Sequence, residues 1–311
     1  MDLVKEIEKL KKEKNAVILA HFYVPGEIQD IADFVGDSLA LSQKAAETDA
    51  DIIVFAGVNF MAETAKILSP SKKVLLPDLE AGCSLAESIP AGLFEQFKKQ
   101  YPGHIVITYV NTTAEIKSLS DICCTSSNAE QIVESLPKDK KIIFAPDKNL
   151  GNYINGVTGR EMVLWDGRCH VHHEFSLEGI LALKNKHPKA KVIAHPECQK
   201  PILLVADKIG STAELLKFTQ ENDSQEFIVV TESGILHKMK QKSPDKTFYP
   251  APSDDPNCAC ADCNFMKLNT LEKLHKCLRD EKPEITLDDD LAKKALTPIL
   301  RMLDISKKLG L

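Results

Sequence analysis

The chain repeats itself three times, and this limits its fold more than any other feature. Asn15–Pro25 reads NAVILAHFYVP, Gly103–Thr113 reads GHIVITYVNTT and Ala190–Cys198 reads AKVIAHPEC. Each is a short apolar strand that ends in polar, chemically capable residues. Placing His21, Tyr109 and His195 in register gives offsets of 88 and 86 residues. The same offsets align Tyr23 with Asn111 and Glu197, and Ser38 with Ser126 and Thr212, each near the start of a helical run. A second strand follows in each unit: DIIVFAG from Asp51, KIIFAP from Lys141 and EFIVV from Glu226. Each unit then reaches a cysteine, Cys83, Cys169 and Cys263, at offsets of 86 and 94; the stretch SDDPNCACAD lengthens the last. Ordinary βα periodicity explains the strands. It does not explain matched polar residues at their ends.

Strand-like runs alternating with helical runs predict an α/β chain with parallel sheets. The expected architecture is three similar αβα domains with short parallel sheets, related by pseudo-threefold symmetry around a central active site. The units span 1–98, 99–185 and 186–270, followed by C-terminal helices over 271–311 that pack on the domains. Parallel sheets bind ligands beyond the carboxyl ends of their strands, so a site lined once by each unit is the natural geometry. No low-complexity linker separates the units, which implies tight packing. Ser84-Leu-Ala-Glu87 and Ser211-Thr-Ala-Glu214 both match the capping box at a helix start.

The net charge of −6 argues against a nucleic-acid or polybasic membrane face. It also means that anionic ligands would need local donors. No stretch approaches the ~20 apolar residues of a transmembrane helix. Met1–Asn15 is a charged helical pattern without the apolar core of a signal peptide, so the expected setting is cytoplasmic. Nine cysteines, an odd number without a secretory signal, do not suggest a disulfide framework. Cys123, Cys124, Cys198 and Cys277 read as buried core thiols.

One cysteine per repeat at one topological place points to a shared metal site, with thiolate as ligand to zinc or an iron–sulfur cluster. Cys258-Ala-Cys260-Ala-Asp-Cys263 alone fits a zinc knuckle or redox pair equally well. Structural sites want four protein ligands and three repeats supply three, which leaves the open position of a Lewis-acid site. Ser38, Ser126 and Thr212 suit either carboxylate or phosphate binding at helix N-termini or plain N-capping. His21, Tyr23, Tyr109, His195 and Glu197 are candidate general acids and bases, and Asn111 can orient a carboxylate or carbonyl.

Several motifs together resemble the quinolinate synthase family over residues 15–275. They include HFYVPGEIQDIADFVGDSL from His21, FMAETAKIL from Phe60, YVNTTAEIKSLSD from Tyr109 and CCTSSNA from Cys123. PDKNLGNYI from Pro146, WDGRCHVH from Trp165, HPEC from His195, IGSTAEL from Ile209 and CADCNFMKLNTLEKL from Cys260 complete the set. The resemblance implies three αβα domains about a pseudo-threefold axis. It implies condensation of iminoaspartate with dihydroxyacetone phosphate to give quinolinate, phosphate and two waters, in NAD biosynthesis. It further implies a 4Fe-4S cluster held by Cys83, Cys169 and Cys263, whose iron without a protein thiolate acts as a Lewis acid. Carried over in the same way, Tyr23 and Tyr109 are proton-transfer groups assisted by His21, His195 and Glu197. Ser38, Asn111, Ser126 and Thr212 would hold carboxylates and phosphate, with His21, Tyr109, His195 and Glu197 also against the substrate. Met61 reads equally as site wall or core, and His172 lies three residues past a ligand cysteine. Cys260 rivals Cys263 as third ligand because both lie within one turn; the resemblance favours Cys263. An aspartate-oxidising enzyme is the implied source of iminoaspartate. Two other readings share some features: a zinc ion stapling three domains, and a cluster-dependent hydro-lyase acting on a small hydroxy acid.

Overall fold

The computed structural model describes residues 2–254 and 262–311. It holds three four-stranded sheets, each wholly parallel. The first contains β1 (Ala16–His21), β2 (Phe34–Gly36), β3 (Ile52–Ala56) and β4 (Lys73–Leu75). The second contains β5 (Ile105–Tyr109), β6 (Ile122–Cys124), β7 (Ile142–Ala145) and β8 (Val163–Leu164). The third contains β9 (Lys191–Ala194), β10 (Lys208–Ile209), β11 (Glu226–Val230) and β12 (Thr247–Pro250). All three follow one order, β2-β1-β3-β4, β6-β5-β7-β8 and β10-β9-β11-β12. The fold is therefore α/β, with three similar αβα units as expected.

The strands expected second in each unit, β3, β7 and β11, are third in chain order. Edge strands β2, β6 and β10 intervene, each only two or three residues long. Strands so short carry no readable alternation. Their effect on function is indirect but large, because they place β1, β5 and β9 inside their sheets. The chain order reverses beside each of these strands, which is where a parallel sheet opens a crevice for ligands.

One polar device recurs in all three sheets. Asp33, Asp121 and Asp207 each stand just before an edge strand, and their carboxylates accept the N–H of Ile18, Val106 and Val192 at 2.8 Å. In return their own N–H groups donate to the carbonyls of the same three residues, at 3.0, 2.9 and 2.7 Å. This two-bond clip closes each helical crossover onto its central strand.

Side-chain alternation along the strands divides the core. Ile107, Phe144, Ile193, Phe227 and Val229 join one apolar cluster that runs on into the first unit. Val106, Ile143 and Ala145 face a separate cluster under the second unit's outer helices. Val192, Ala194, Ile228 and Val230 do the same in the third. A shared core on one face binds the units to one another. The last two helices add to this: Leu271–Asp280 packs on the N-terminal helix Leu3–Glu13, and Asp289–Lys308 packs across Ala114–Ser118, β6 and Asn59–Leu68. No described helix is long and apolar enough to cross a membrane.

Asp121→Ala would strand the buried N–H of Val106 without its partner. It should lower stability by about 1–3 kcal/mol, the desolvation cost of an orphaned buried donor. Thermal unfolding checks this against the exposed control Asp139→Ala, whose effect should stay within about 0.5 kcal/mol.

Candidate active site

The carboxyl ends of β1, β5 and β9 converge on one cavity. His21 and Tyr23 enter it from the first unit, Tyr109 and Asn111 from the second, and His195 and Glu197 from the third. Ser38, Ser126 and Thr212 also reach it, as do Met61 and His172. So do Cys83, Cys169 and Cys263, all intermediate in burial. Every candidate residue named from the sequence and lying within the described residues is thus in one place. Cys258 and Cys260 lie outside the described residues.

The hydroxyl residues are not the caps of their helices. Ser38 opens the helix Ser38–Glu47, but the N-cap is Asp37, whose side chain accepts the N–H of Ala40 at 3.0 Å. Thr212 opens Thr212–Glu221 behind the cap Ser211, which forms the expected capping box with Glu214. Ser126 lies in the turn before the helix Ala129–Ser135, which Asn128 precedes as cap residue. With capping done by neighbours, the Ser38 and Thr212 hydroxyls are left for the cavity. The capping box expected at Ser84 does not form: Cys83 is the cap position, and the Ser84 hydroxyl bonds His170 Nδ1 at 2.7 Å instead.

A hydrogen-bonded cluster fills the polar half of the cavity. Tyr109 donates its hydroxyl to Glu197 Oε1 at 2.6 Å, and His172 Nδ1 lies 3.1 Å from Oε2. Tyr23 pairs with Thr212 Oγ1 at 2.9 Å and Thr231 Oγ1 at 2.7 Å, and His172 Nε2 meets the same Thr231 hydroxyl at 2.9 Å. The His172 and His195 rings stack with centroids 4.6 Å apart.

Burial sets the protonation of these groups. It pushes His21 and His195 down to about 3 despite the nearby Glu197 carboxylate, so both imidazoles are neutral at physiological pH. Their Nδ1 atoms accept backbone N–H groups, of Tyr23 at 3.2 Å and of Glu197 at 3.4 Å. A neutral ring accepting at Nδ1 carries its hydrogen on Nε2. Both histidines therefore rest as N–H donors, and His195 Nε2 faces Ser126 Oγ at 3.2 Å. Burial raises both phenols well above the ordinary tyrosine value. Burial would raise Glu197 too, but the fields of His172 and His195 and the bonds from His172 and Tyr109 hold its carboxyl low. With His195 neutral, His172 and Tyr109 carry most of that effect. The buried amide oxygen of Asn111 has no partner among the described residues, an orphan that a ligand would satisfy.

The three thiols occupy equivalent places. Cys83 and Cys169 each stand at the N-cap of a four-residue helix, and Cys263 precedes the turn Met266–Leu268. Burial pushes Cys83 up to about 12 and raises the other two; backbone N–H groups of Leu85 and Ala86, of His172, and of Phe265 and Met266 oppose it. Among the described residues only Cys169, His172 and Glu197 bring three ligand atoms within 4.8 Å of one another. The three thiols are therefore more widely spaced than one ion requires, since zinc–sulfur bonds of about 2.3 Å in a tetrahedron put sulfurs about 3.8 Å apart.

Residues 5–304 match the family described as quinolinate synthetase A protein. The chain is 60% identical to the quinolinate synthase of Chloroherpeton thalassium over 307 residues, 99% of this chain and 95% of the relative. It is 61% identical to that of Thermosynechococcus vestitus over 306 residues, 98% of this chain and 96% of the relative. For Synechocystis the identity is 60% over 305 residues, 98% and 96% of the two chains. The chain belongs to the quinolinate synthetase A protein family.

Asp37, Phe60 and Glu232 also line this family member's cavity and were not anticipated from its sequence. Asp37 accepts the Ser127 hydroxyl at 2.6 Å and so joins the first unit to the second. Phe60 forms wall beside Met61. Glu232 follows Thr231 after β11 and is buried in the cavity wall. Its carboxylate accepts Cys263 N–H at 3.1 Å and pairs with Lys267 Nζ at 2.8 Å. Thr231 has no chemical counterpart after β3 or β7, where Gly57 and Pro146 stand, so the repeat offered no signal for it. Glu232 does have one: Asp147 holds the same place after β7, and its carboxylate likewise accepts the N–H of its unit's cysteine, Cys169, at 3.2 Å.

Lys267→Met would leave the buried Glu232 carboxylate without its cation. Stability should fall by up to about 3 kcal/mol, while Lys267→Arg keeps most of it. Thermal midpoints of the two variants measure the difference.

Proposed function

We propose that this cavity makes quinolinate from iminoaspartate and dihydroxyacetone phosphate, the step in NAD biosynthesis that yields the pyridine ring. The observation that carries the reading is convergence. Each repeat delivers a strand-end pair, a hydroxyl and a thiol to one enclosed site.

Both substrates are multiply anionic, yet no lysine or arginine lines the cavity among the described residues. Neutral donors must therefore hold the charge. The hydroxyls of Ser38, Ser126 and Thr212, the Asn111 amide, and the Nε2–H groups of His21 and His195 are such donors. The N-termini of the ten-residue helices Ser38–Glu47 and Thr212–Glu221 add the field of the helix dipole. Neutral imidazole N–H groups suit a ketone or carboxylate oxygen without adding a charge that would then need neutralising.

Tyr23 and Tyr109 are the proton-transfer groups in this reading. Tyr109 already gives its hydrogen to Glu197, so its oxygen has lone pairs free to receive a substrate proton while Glu197 takes the phenol's own. Tyr23 has a comparable option through Thr231, whose hydroxyl would take the phenol's hydrogen while giving its own to His172 Nε2. The reverse movements would return protons during tautomerisation and loss of water. Enclosure keeps bulk water from the imine, which hydrolyses readily.

Cys83, Cys169 and Cys263 fit a 4Fe-4S cluster: three half-buried thiols face one cavity, with a spacing too wide for one ion. Such a cluster, with one iron free of protein thiolate, would supply Lewis-acid polarisation of a leaving hydroxyl. The compact group Cys169, His172 and Glu197 is the alternative metal site, but His172 and Glu197 already serve Thr231 and Tyr109. The enzyme would work in the cytoplasm, with iminoaspartate supplied by an aspartate-oxidising enzyme.

Incubating the anaerobically purified protein with both substrates should give quinolinate, read by chromatography. Its absence would overturn the reading. Cys83→Ala should lose both the brown colour and turnover, whereas full iron retention would remove Cys83 from the ligand set. Tyr109→Phe should keep its iron and lose about 10²-fold or more in kcat, the usual worth of a positioned acid–base group.

A further inference from the structure

The turn after β11, Thr231–Gly234, touches all three units. Thr231 is buried, and its hydroxyl lies 2.7 Å from the Tyr23 phenol of the first unit and 2.9 Å from His172 Nε2 of the second. The backbone of the same turn is fixed against Tyr23. A Cβ on Gly234 would stand 2.7 Å from the Tyr23 carbonyl oxygen, so only glycine fits there. Gly234 N–H donates to Glu232 Oε2 at 2.7 Å, and Gly234 O accepts from Gln29 Nε2 at 3.0 Å. Lys267 bonds both the Glu232 carboxylate, at 2.8 Å, and Tyr23 O, at 3.0 Å. The Tyr23 backbone and its phenol are thus held by one rigid loop.

Thr231 does not line the cavity, so any effect on chemistry must pass through its two neighbours. A hydroxyl can donate once and accept as well, which lets it serve a phenol and an imidazole together. Whichever way its hydrogen points, it completes an unbroken line from Tyr23 through Thr231 and His172 to Glu197 and Tyr109. Valine has nearly the same shape and offers neither bond. It would leave the phenol with Thr212 alone and His172 Nε2 unpaired in a buried site.

We infer that Thr231 is a positioning residue for the condensation: its hydroxyl sets the Tyr23 phenol in the cavity and ties it to the His172–Glu197–Tyr109 group. The inference rests on the functional reading above, in which Tyr23 moves protons. The alternative is that Thr231 only fills space at the junction of the three units.

The test compares Thr231→Val with Thr231→Ser in the iron-loaded enzyme. Thr231→Val should fold and keep the wild-type iron and sulfide content, with a thermal midpoint lowered by the unpaired imidazole. Its kcat should fall at least about tenfold while KM for each substrate stays within about twofold, the pattern of a contact that matters in the transition state. Thr231→Ser restores the hydroxyl and should return kcat to within about threefold of wild type. A valine variant turning over within about twofold of wild type, or a serine variant as slow as the valine one, would overturn the inference. If the valine variant does not fold, Thr231→Ala replaces it, and equal turnover of the alanine and serine variants overturns the inference just as surely. An inactive wild type contradicts the functional reading underneath; an active wild type with an unaffected valine variant contradicts the role of Thr231 alone.

Discussion

Parallel strands end in the same direction, and this chain aims three such ends at one point. The consequence is chemical as much as architectural. Beyond the last ladder bond of β1, β5 and β9 the backbone is free to present side chains, so these ends carry the working residues. The short edge strands keep each central strand inside its sheet, and the repeated aspartate clip closes each crossover onto it. The shared apolar face then fixes the units against one another. If the units were only loosely joined, Tyr109 could not hold Glu197 of another unit at hydrogen-bond distance.

Within the cavity the governing condition is low dielectric without a lining cation among the described residues. Burial makes the imidazoles of His21 and His195 neutral donors and keeps the phenols protonated. Glu197 stays ionised because Tyr109 and His172 both donate to it. Lys267, next to the cavity-lining Met266, is committed to Glu232 and the Tyr23 carbonyl. In the proposed function anion binding would be left to oriented dipoles, which hold charge without the desolvation cost of burying a lysine or arginine. The same enclosure would protect reactive intermediates from water.

Much of this was legible in the sequence because the repeat marks equivalent positions. His21, Tyr109 and His195 fell into place from spacing alone, as did Cys83 and Cys169, while Cys263 was preferred to Cys260 on the resemblance. The aspartates 33, 121 and 207 obey the same two offsets and could have been found in the same way. Glu232 could have been too, since its counterpart after β7 is the carboxylate Asp147. Thr231 could not, since its counterparts Gly57 and Pro146 share no chemistry with it. The edge strands were too short for alternation to register. Ser84 shows the limit of a local motif: its capping-box pattern is intact, yet a cap one residue earlier and a histidine in another unit decide what its hydroxyl does. Tertiary contacts of that kind have no imprint within a few residues of sequence.

The central claim is that three repeats combine to hold one cluster beside one reaction site. Iron and acid-labile sulfide, measured on protein purified without oxygen, test it most directly. The account predicts about four irons and four sulfides per chain, the content of a cubane held by cysteine. A colourless protein carrying a single zinc ion would contradict it, because the thiols would then be a staple between domains and the cavity would have no open metal position.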